Sequence, residues 1–475
     1  MDVINLKAWE MKERLLNKEI SSREIIEAHI SKIDEVENDI NAFISIDKDK
    51  ALKEADAIDE KIKNNEELGS LAGIPIGVKD NIITRDFKTT AGSKMLENFK
   101  APYDSTVVER INKNNGIIIG KTNLDEFAMG VSGQISHYGP TKNPLDTNKV
   151  PGGSSGGSAA ALAAKEVALS IGSDTGGSNR MPASFCGVVG IKPTQGLVSR
   201  YGLISVSDRM DQIGVFGRDV RDAVLMLNTI SGHDKRDITT NKDNTRLDIE
   251  SMSSVKGMKI ALPKEYFEIS MNPKVREEIE KSIELFKDGG AIVKEVSLPI
   301  LKYAVDAFYI IIHSDFSSNM ARFDGIRYGH RSKDYEDLDE LYINSRTEGF
   351  SAEIRKRILF GTYLLSGSRG KEYYSKALKL RAKLIEEFNK LFVDFDVILS
   401  PTVEDLPYDL GKLGLEENSF KGALLQTPAN LAGLCALSMP TGSKEVLPVG
   451  LQLIGNRFRE DNIIKAALGY ERMVR

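Results

Sequence analysis

Two cysteines in 475 residues, Cys186 and Cys435, are too few for a disulfide framework and have no metal-ligand spacing. They read as buried packing residues of a protein from a reducing compartment. Histidine is nearly as scarce. Beyond residue 150 only His233, His313 and His330 occur, none in a motif that would place it as a general base. No apolar run approaches the ~18 residues of a membrane span. The start, Met1-Asp2-Val3-Ile4-Asn5-Leu6, lacks the basic and apolar regions of a secretion signal. The expectation is a cytoplasmic protein with no membrane association. Charge is balanced as well, 64 basic against 69 acidic residues for a net of −5, so there is no field to attract a polyanion. Any RNA contact would need a partner.

What is present is a composition of ordinary globular kind, 41% hydrophobic and 28% charged. The length allows two or three domains or one large α/β unit. The first ~65 residues read as helical: Ser21 with Glu24 forms a capping box, and Ile26, His29, Ile30 and Ile33 share a face. His29 is expected to be a hydrogen-bonded core residue. From residue 73 strands and helices alternate, with strands at 74–78, 117–119 and 168–171 and helices at 105–114 and after Ser158. The polar stretch 231–254, including Lys242-Asp243-Asn244, reads as a surface excursion and a candidate boundary. Alternation then resumes with a strand at 259–262, a helix at 275–287, a strand at 291–296, a helix-rich insertion at about 302–392, and strands near 397–401 and 449–455. The late strands predict one continuous sheet, a single domain over 1–475 in which a large mixed sheet is covered by helices on both faces.

Chemistry concentrates in two glycine-rich patches. One is Pro151-Gly152-Gly153-Ser154-Ser155-Gly156-Gly157-Ser158 and the other Gly172-Ser173-Asp174-Thr175-Gly176-Gly177-Ser178, with Lys79 ending the run Gly73-Ile74-Pro75-Ile76-Gly77-Val78-Lys79. Glycines beside a serine let a substrate carbonyl approach main-chain N–H groups, so the set reads as a Ser-Ser-Lys hydrolytic centre. Two rival readings are weaker. Residues 116–122 resemble a phosphate loop but have three strand-like isoleucines as spacer, and 152–156 match a nucleophile elbow that would need a downstream histidine.

Segments 151–164 and 172–194, the latter containing Pro182-Ala183-Ser184-Phe185-Cys186-Gly187 and Ile191-Lys192-Pro193-Thr194, resemble the amidase signature family, and the likeness extends over nearly the whole chain. The resemblance implies an amidase-signature α/β fold and roles for the triad. Ser178 would be the nucleophile, Ser154, after a cis peptide bond, the bridge, and Lys79 the base. Main-chain N–H groups of Thr175, Gly176, Gly177 and Ser178 would form the oxyanion hole. No metal or organic cofactor is implied. Segments 121–130, 199–202, 211–214, 322–329 and 356–362 narrow the resemblance to the family's glutaminase-type A subunits of tRNA-dependent amidotransferases. Those release ammonia for partners of the B and C subunit kind, which contact tRNA and use ATP. In that branch Arg357 corresponds to the arginine that holds the α-carboxylate of glutamine. Tyr309, Met129 and Gly130 fall near the same pocket.

Departures from the family pattern cluster there too, at Val131, Gly133, Gln134, Asn179, Met181, Gln195 and Leu197. The aspartate that would pair with the α-ammonium falls on Ala423, and Asp315 and Asp125 are candidate substitutes. Read this way, the pocket prefers an acidic amide without a free ammonium, and glutamine is expected to be turned over poorly. A stand-alone amidase with another substrate is the alternative, and a non-catalytic assembly scaffold a third.

Overall fold

In the computed structural model, residues 3–242, 246–252, 254–412, 417–443 and 447–474 are described. Eleven strands form one sheet: β1 (Phe43–Ile46), β2 (Pro75–Lys79), β3 (Ile117–Thr122), β4 (Leu169–Asp174), β5 (Val189–Lys192), β6 (Gln212–Gly217), β7 (Lys259–Pro263), β8 (Ile292–Val296), β9 (Val397–Pro401), β10 (Cys435–Pro440) and β11 (Gly450–Gly455). Their order is β1-β3-β2-β4-β6-β5-β10-β11-β9-β7-β8. Two parallel trios, β3-β2-β4 and β9-β7-β8, flank an antiparallel centre.

Side chains alternate between the two faces, as the pleat requires. Leu169 and Ile171 of β4 and Ile213 and Val215 of β6 pack with helices Thr106–Lys113, Val220–Ile230 and Glu460–Val474. On the other face Phe216 of β6 packs with helix Gly156–Ala163, while Ile398 of β9 and Ala436 of β10 meet helices Ala304–Met320 and Glu417–Leu431. The sheet is covered on both sides, so the fold is the expected mixed α/β architecture.

The capping box forms, with Glu24 N–H donating to Ser21 Oγ and Ser21 N–H to Glu24 Oε2. His29 is buried, its Nδ1 2.8 Å from Ile25 O, and burial holds its pKa down to about 3. Both cysteines are free and buried. Among the described residues no helix is long and apolar enough to cross a membrane.

The N-terminal segment departs from the all-helical expectation. It contains β1, which joins the sheet edge antiparallel to β3. Four residues with no partner nearby in sequence leave too little signal. Strands β5, β6 and β10 also lie outside the expected set. All of β6 and β5 is buried, so neither shows the half-exposed alternation by which strands are read. Within the stretch 231–254, the described turn around Asp234 is tied to the body of the protein at the surface. Asp234 accepts hydrogen bonds from Ser199 and Thr106, and Asp237 accepts one from Arg200 N–H. Asp243 and Asn244 lie outside the described residues.

Helix Gly156–Ala163 sits hard against the exit of β3. A Cβ on Gly157 would meet Ala42 O and the backbone of Asn123. This contact sets the height of the serine loop over the sheet. Gly157→Ala should therefore cost more than about 2 kcal/mol in urea unfolding. Gly257→Ala, at φ +78 with open space around it, should cost about 1 kcal/mol for the left-handed backbone alone. Equal costs would show that the approach at Gly157 can relax.

Candidate active site

β2 and β4 run parallel side by side, Val78 opposite Ile171, so their carboxyl ends meet at one edge of the sheet. Lys79 closes β2, and residues 175–179 leave β4 beside it. The Lys79 side chain is fully buried. Its Nζ lies 2.8 Å from Ser154 Oγ, 2.8 Å from Ser155 Oγ and 2.9 Å from Ser173 Oγ. Burial pushes its pKa down from 10.5 to about 7, although the charges of Asp125, Asp174 and Asp211 act in the other direction. The peptide between Gly153 and Ser154 is cis.

Ser178 is half-buried. Its carbonyl accepts the Ser155 N–H at 3.2 Å, which joins the two glycine-rich patches. Lys79 and Ser154 are thus in hydrogen-bond contact, and Ser178 is held against the same loop through Ser155. Among the described residues no hydrogen bond joins Ser154 Oγ to Ser178 Oγ. Active-site contacts of this kind commonly tighten only when substrate binds.

Loop 175–179 is shaped by one buried ion pair. Arg180 Nε and NH2 each lie 3.1 Å from a carboxylate oxygen of Asp174, and both side chains are fully buried. Burial disfavours the Asp174 charge, yet Arg180 holds its pKa below the usual carboxylate range. Arg180 also donates to Gln426 O and Gln452 Oε1, and Asn430 Nδ2 donates to Asp174 Oδ1 at 2.9 Å. Asp174 Oδ1 takes the Gly177 N–H at 2.8 Å, and Oδ2 takes the Asn179 N–H at 3.1 Å. This corrects the expected oxyanion hole: the Gly177 N–H is committed to Asp174. Those of Thr175, Gly176 and Ser178 have no acceptor among the described residues. Gly177, at φ +123, lies under Gln426, whose Oε1 would collide with a Cβ there.

The expected pocket residues lie on several separate elements. Phe308 lies over Gly176, and Tyr309, next in the same helix, stacks on His313 at 5.7 Å. His313 feels the charge of Arg357, and burial lowers its pKa to about 4. Arg357 itself, half-buried on helix Ala352–Leu365, is paired to Glu353 at 2.7 Å. Met129 is buried, and Gly130 packs on the Asp125 side chain. Both acids offered as substitutes for the missing carboxylate have partners within the protein. Asp315 pairs with Arg209 at 2.6 Å and accepts from Ser207, and Asp125 accepts the N–H groups of Ser132, Gly133 and Ile135.

Sequence alone does not point to Ser155 and Ser173 as partners of Lys79, nor to Arg180, Gln426 and Asn430 as supports of the loop. Ser155 adjoins Ser154, so its position carries a signal. The supports converge from distant segments, Asn430 and Asp174 being 256 residues apart, with nothing local to mark them. Glu404, beyond the end of β9, is equally silent in the sequence. Its carboxylate lies against Gly422, next to Ala423, where a Cβ on Gly422 would collide with Oε2.

The family model described as Amidase matches residues 24–464. The chain belongs to the amidase family. It is an amide-hydrolysing enzyme. The A subunit of glutamyl-tRNA(Gln) amidotransferase from Clostridium botulinum (strain Alaska E43 / Type E3) is 47% identical over 99% of this chain and 98% of that relative. The crystal structure of the Thermotoga maritima protein of the same name superposes with a TM-score of 0.83 at 36% identity, covering 99% of this chain and 95% of that one. A structure from work on a vestigial protein complex and the origins of an s-triazine catabolic enzyme gives 0.87 at 29% identity, covering 98% of each chain.

Within this amidase the Asp174–Arg180 pair is the support most open to test. Arg180→Met leaves a buried carboxylate without its counter-ion and should cost about 3–5 kcal/mol in chemical unfolding. Adding Asp174→Asn should recover part of that loss, and additive losses in the double variant would show that the two side chains are not coupled.

Proposed function

We propose that Ser178 is the nucleophile, Ser154 the proton relay and Lys79 the base of an acyl-enzyme mechanism. The observation that carries this reading is a lysine amine buried among three serine hydroxyls with its pKa near 7. Ser155 Oγ donates to Ser173 O, so it accepts from Nζ. Ser173 Oγ accepts from Asn81 Nδ2 and from Nζ. With its two hydrogens so placed, a neutral amine turns its lone pair toward Ser154. Ser178 Oγ attacks the amide carbon as its proton passes to Ser154 Oγ, whose own proton passes to Lys79. The carbonyl oxygen becomes an anion facing the N–H groups of Thr175, Gly176 and Ser178. The C–N bond then breaks, the relay returns a proton to the leaving nitrogen, and ammonia departs. Water hydrolyses the Ser178 ester by the same route.

The substrate reading supported by full-length similarity to amidotransferase A subunits is glutamine, with ammonia passed to partner subunits of the B and C kind. Contact with tRNA and use of ATP belong to those partners, as the near-neutral charge of this chain suits. Such work is done in the cytoplasm. A stand-alone amidase is the second reading, favoured by Ala423 in the pocket, and co-purification decides between them. Partner chains of that kind support the first, and full activity of the isolated chain supports the second.

Ser178→Ala should abolish hydrolysis and any covalent adduct with acyl-transfer inhibitors. An adduct mapped to Ser154 would reverse the assignment.

Lys79 works only as the free amine, so kcat/KM should rise with pH through about 7 and level off above it. Lys79→Ala should lower kcat by about 10²- to 10⁴-fold with little change in KM. A wild-type pH profile in that variant would remove lysine from the mechanism.

A further inference from the structure

Asn179 follows Ser178 directly, departs from the family pattern, and has a side chain that the chemistry above does not use. That side chain is fully buried. Its Nδ2 lies 3.4 Å from Ile191 O on β5, and its Oδ1 lies 3.2 Å from Ser155 Oγ. Only the amino end of a carboxamide can donate to a carbonyl, so the Ile191 contact fixes which end faces Ser155, and it is the oxygen. The sheet leaves room for the group. Gly172 on β4 and Gly214 on β6 are partners in register. A Cβ on Gly172 would collide with Asn179 Oδ1, and one on Gly214 with Asn179 Nδ2, so the carboxamide lies against both glycines.

Ser155 Oγ has one hydrogen to give and two oxygens in reach, Asn179 Oδ1 and Ser173 O, the latter at 3.1 Å. These acceptors are not equivalent. Lys79 Nζ is itself 3.4 Å from Ser173 O and competes for it, whereas among the described residues Ser155 is the one donor to Asn179 Oδ1. We propose that Asn179 is a positioning residue for the base: it takes the Ser155 hydrogen, which keeps the Ser155 oxygen turned to Lys79 as an acceptor and leaves the lone pair of the neutral amine to Ser154. This rests on the reading of Lys79 as base and Ser154 as relay. Without the Asn179 oxygen the Ser155 hydroxyl can rotate and donate to the amine nitrogen. That caps the lone pair Ser154 needs, and a hydrogen bond to the neutral form favours that form. The charged groups that act on Lys79 are Asp125, Asp174 and Asp211. A change of the Asn179 side chain leaves them in place, since Asp174 is bonded to the Asn179 main-chain N–H.

The test follows ammonia release by the full chain, with any subunits that co-purify, from L-glutamine or, for an enzyme that ignores glutamine, from butanamide. Asn179→Leu keeps the branched shape and removes the acceptor. It should lower kcat about three- to tenfold with KM near wild type, and it should move the rise of the pH profile to lower pH by about half a unit to one unit. A slower enzyme that is active at lower pH is a signature that a packing defect does not produce. In a Ser155→Ala background the same substitution should cost nothing more, because the hydroxyl through which Asn179 acts is gone. Should Asn179→Leu fail to fold, Asn179→Ala, which crowds neither glycine, carries the same comparison. An unmoved pH profile, or losses that multiply in the double variant, would overturn the role of Asn179 and leave the triad standing. A wild-type pH profile in Lys79→Ala would take both down together.

Discussion

A lysine amine buried without a carboxylate in contact among the described residues is the constraint around which this candidate active site is built. Water would keep such an amine protonated, and an adjacent acid would do the same. Here three serine hydroxyls supply the hydrogen bonds that desolvation removed, and they do so without fixing a charge. Aspartates 125, 174 and 211 influence Lys79 only through space. The amine is thereby balanced near neutrality, where it can take a proton and return it. Each element of the site answers to this condition: β2 ends at Lys79, β4 ends beside it, and the Ser154 loop closes over both.

The acids follow a consistent division of labour. Asp125, Asp174 and Asp211 each accept main-chain N–H groups from glycine- or serine-rich turns that have no secondary structure of their own to satisfy them. A turn held this way keeps its shape without bulky side chains, which leaves room for a substrate carbonyl. Arg180 offsets the cost of burying the Asp174 charge and ties the loop 175–179 to Gln452 on β11 and to helix Glu417–Leu431.

The chemistry was legible in the sequence because its requirements are local. Two glycine-serine patches and a lysine at the end of an apolar run identify a hydrolytic serine centre, and the family resemblance assigned a role to each. Likewise the helices with clear caps and faces, such as Ser22–Ile40 and Thr106–Lys113, lie close to where periodicity put them. Periodicity fails for β5 and β6, since a strand buried on both faces has no polar side to alternate with. It fails for β1 because four residues at an edge are defined by their partner β3.

Sequence by itself therefore determined the reaction class and the α/β layering and named candidate residues for the chemistry, all of which depend on residue type and short-range spacing. Tertiary structure decided which groups are available to do it. It gave the Gly177 N–H to Asp174, committed Asp125 and Asp315 to partners within the protein, and brought Glu404 against Gly422 from 18 residues away. The physical reason is the same in each case: a hydrogen bond or an ion pair is a fact about distance in space, and in a sheet whose neighbours are far apart in sequence that distance is set by the packing.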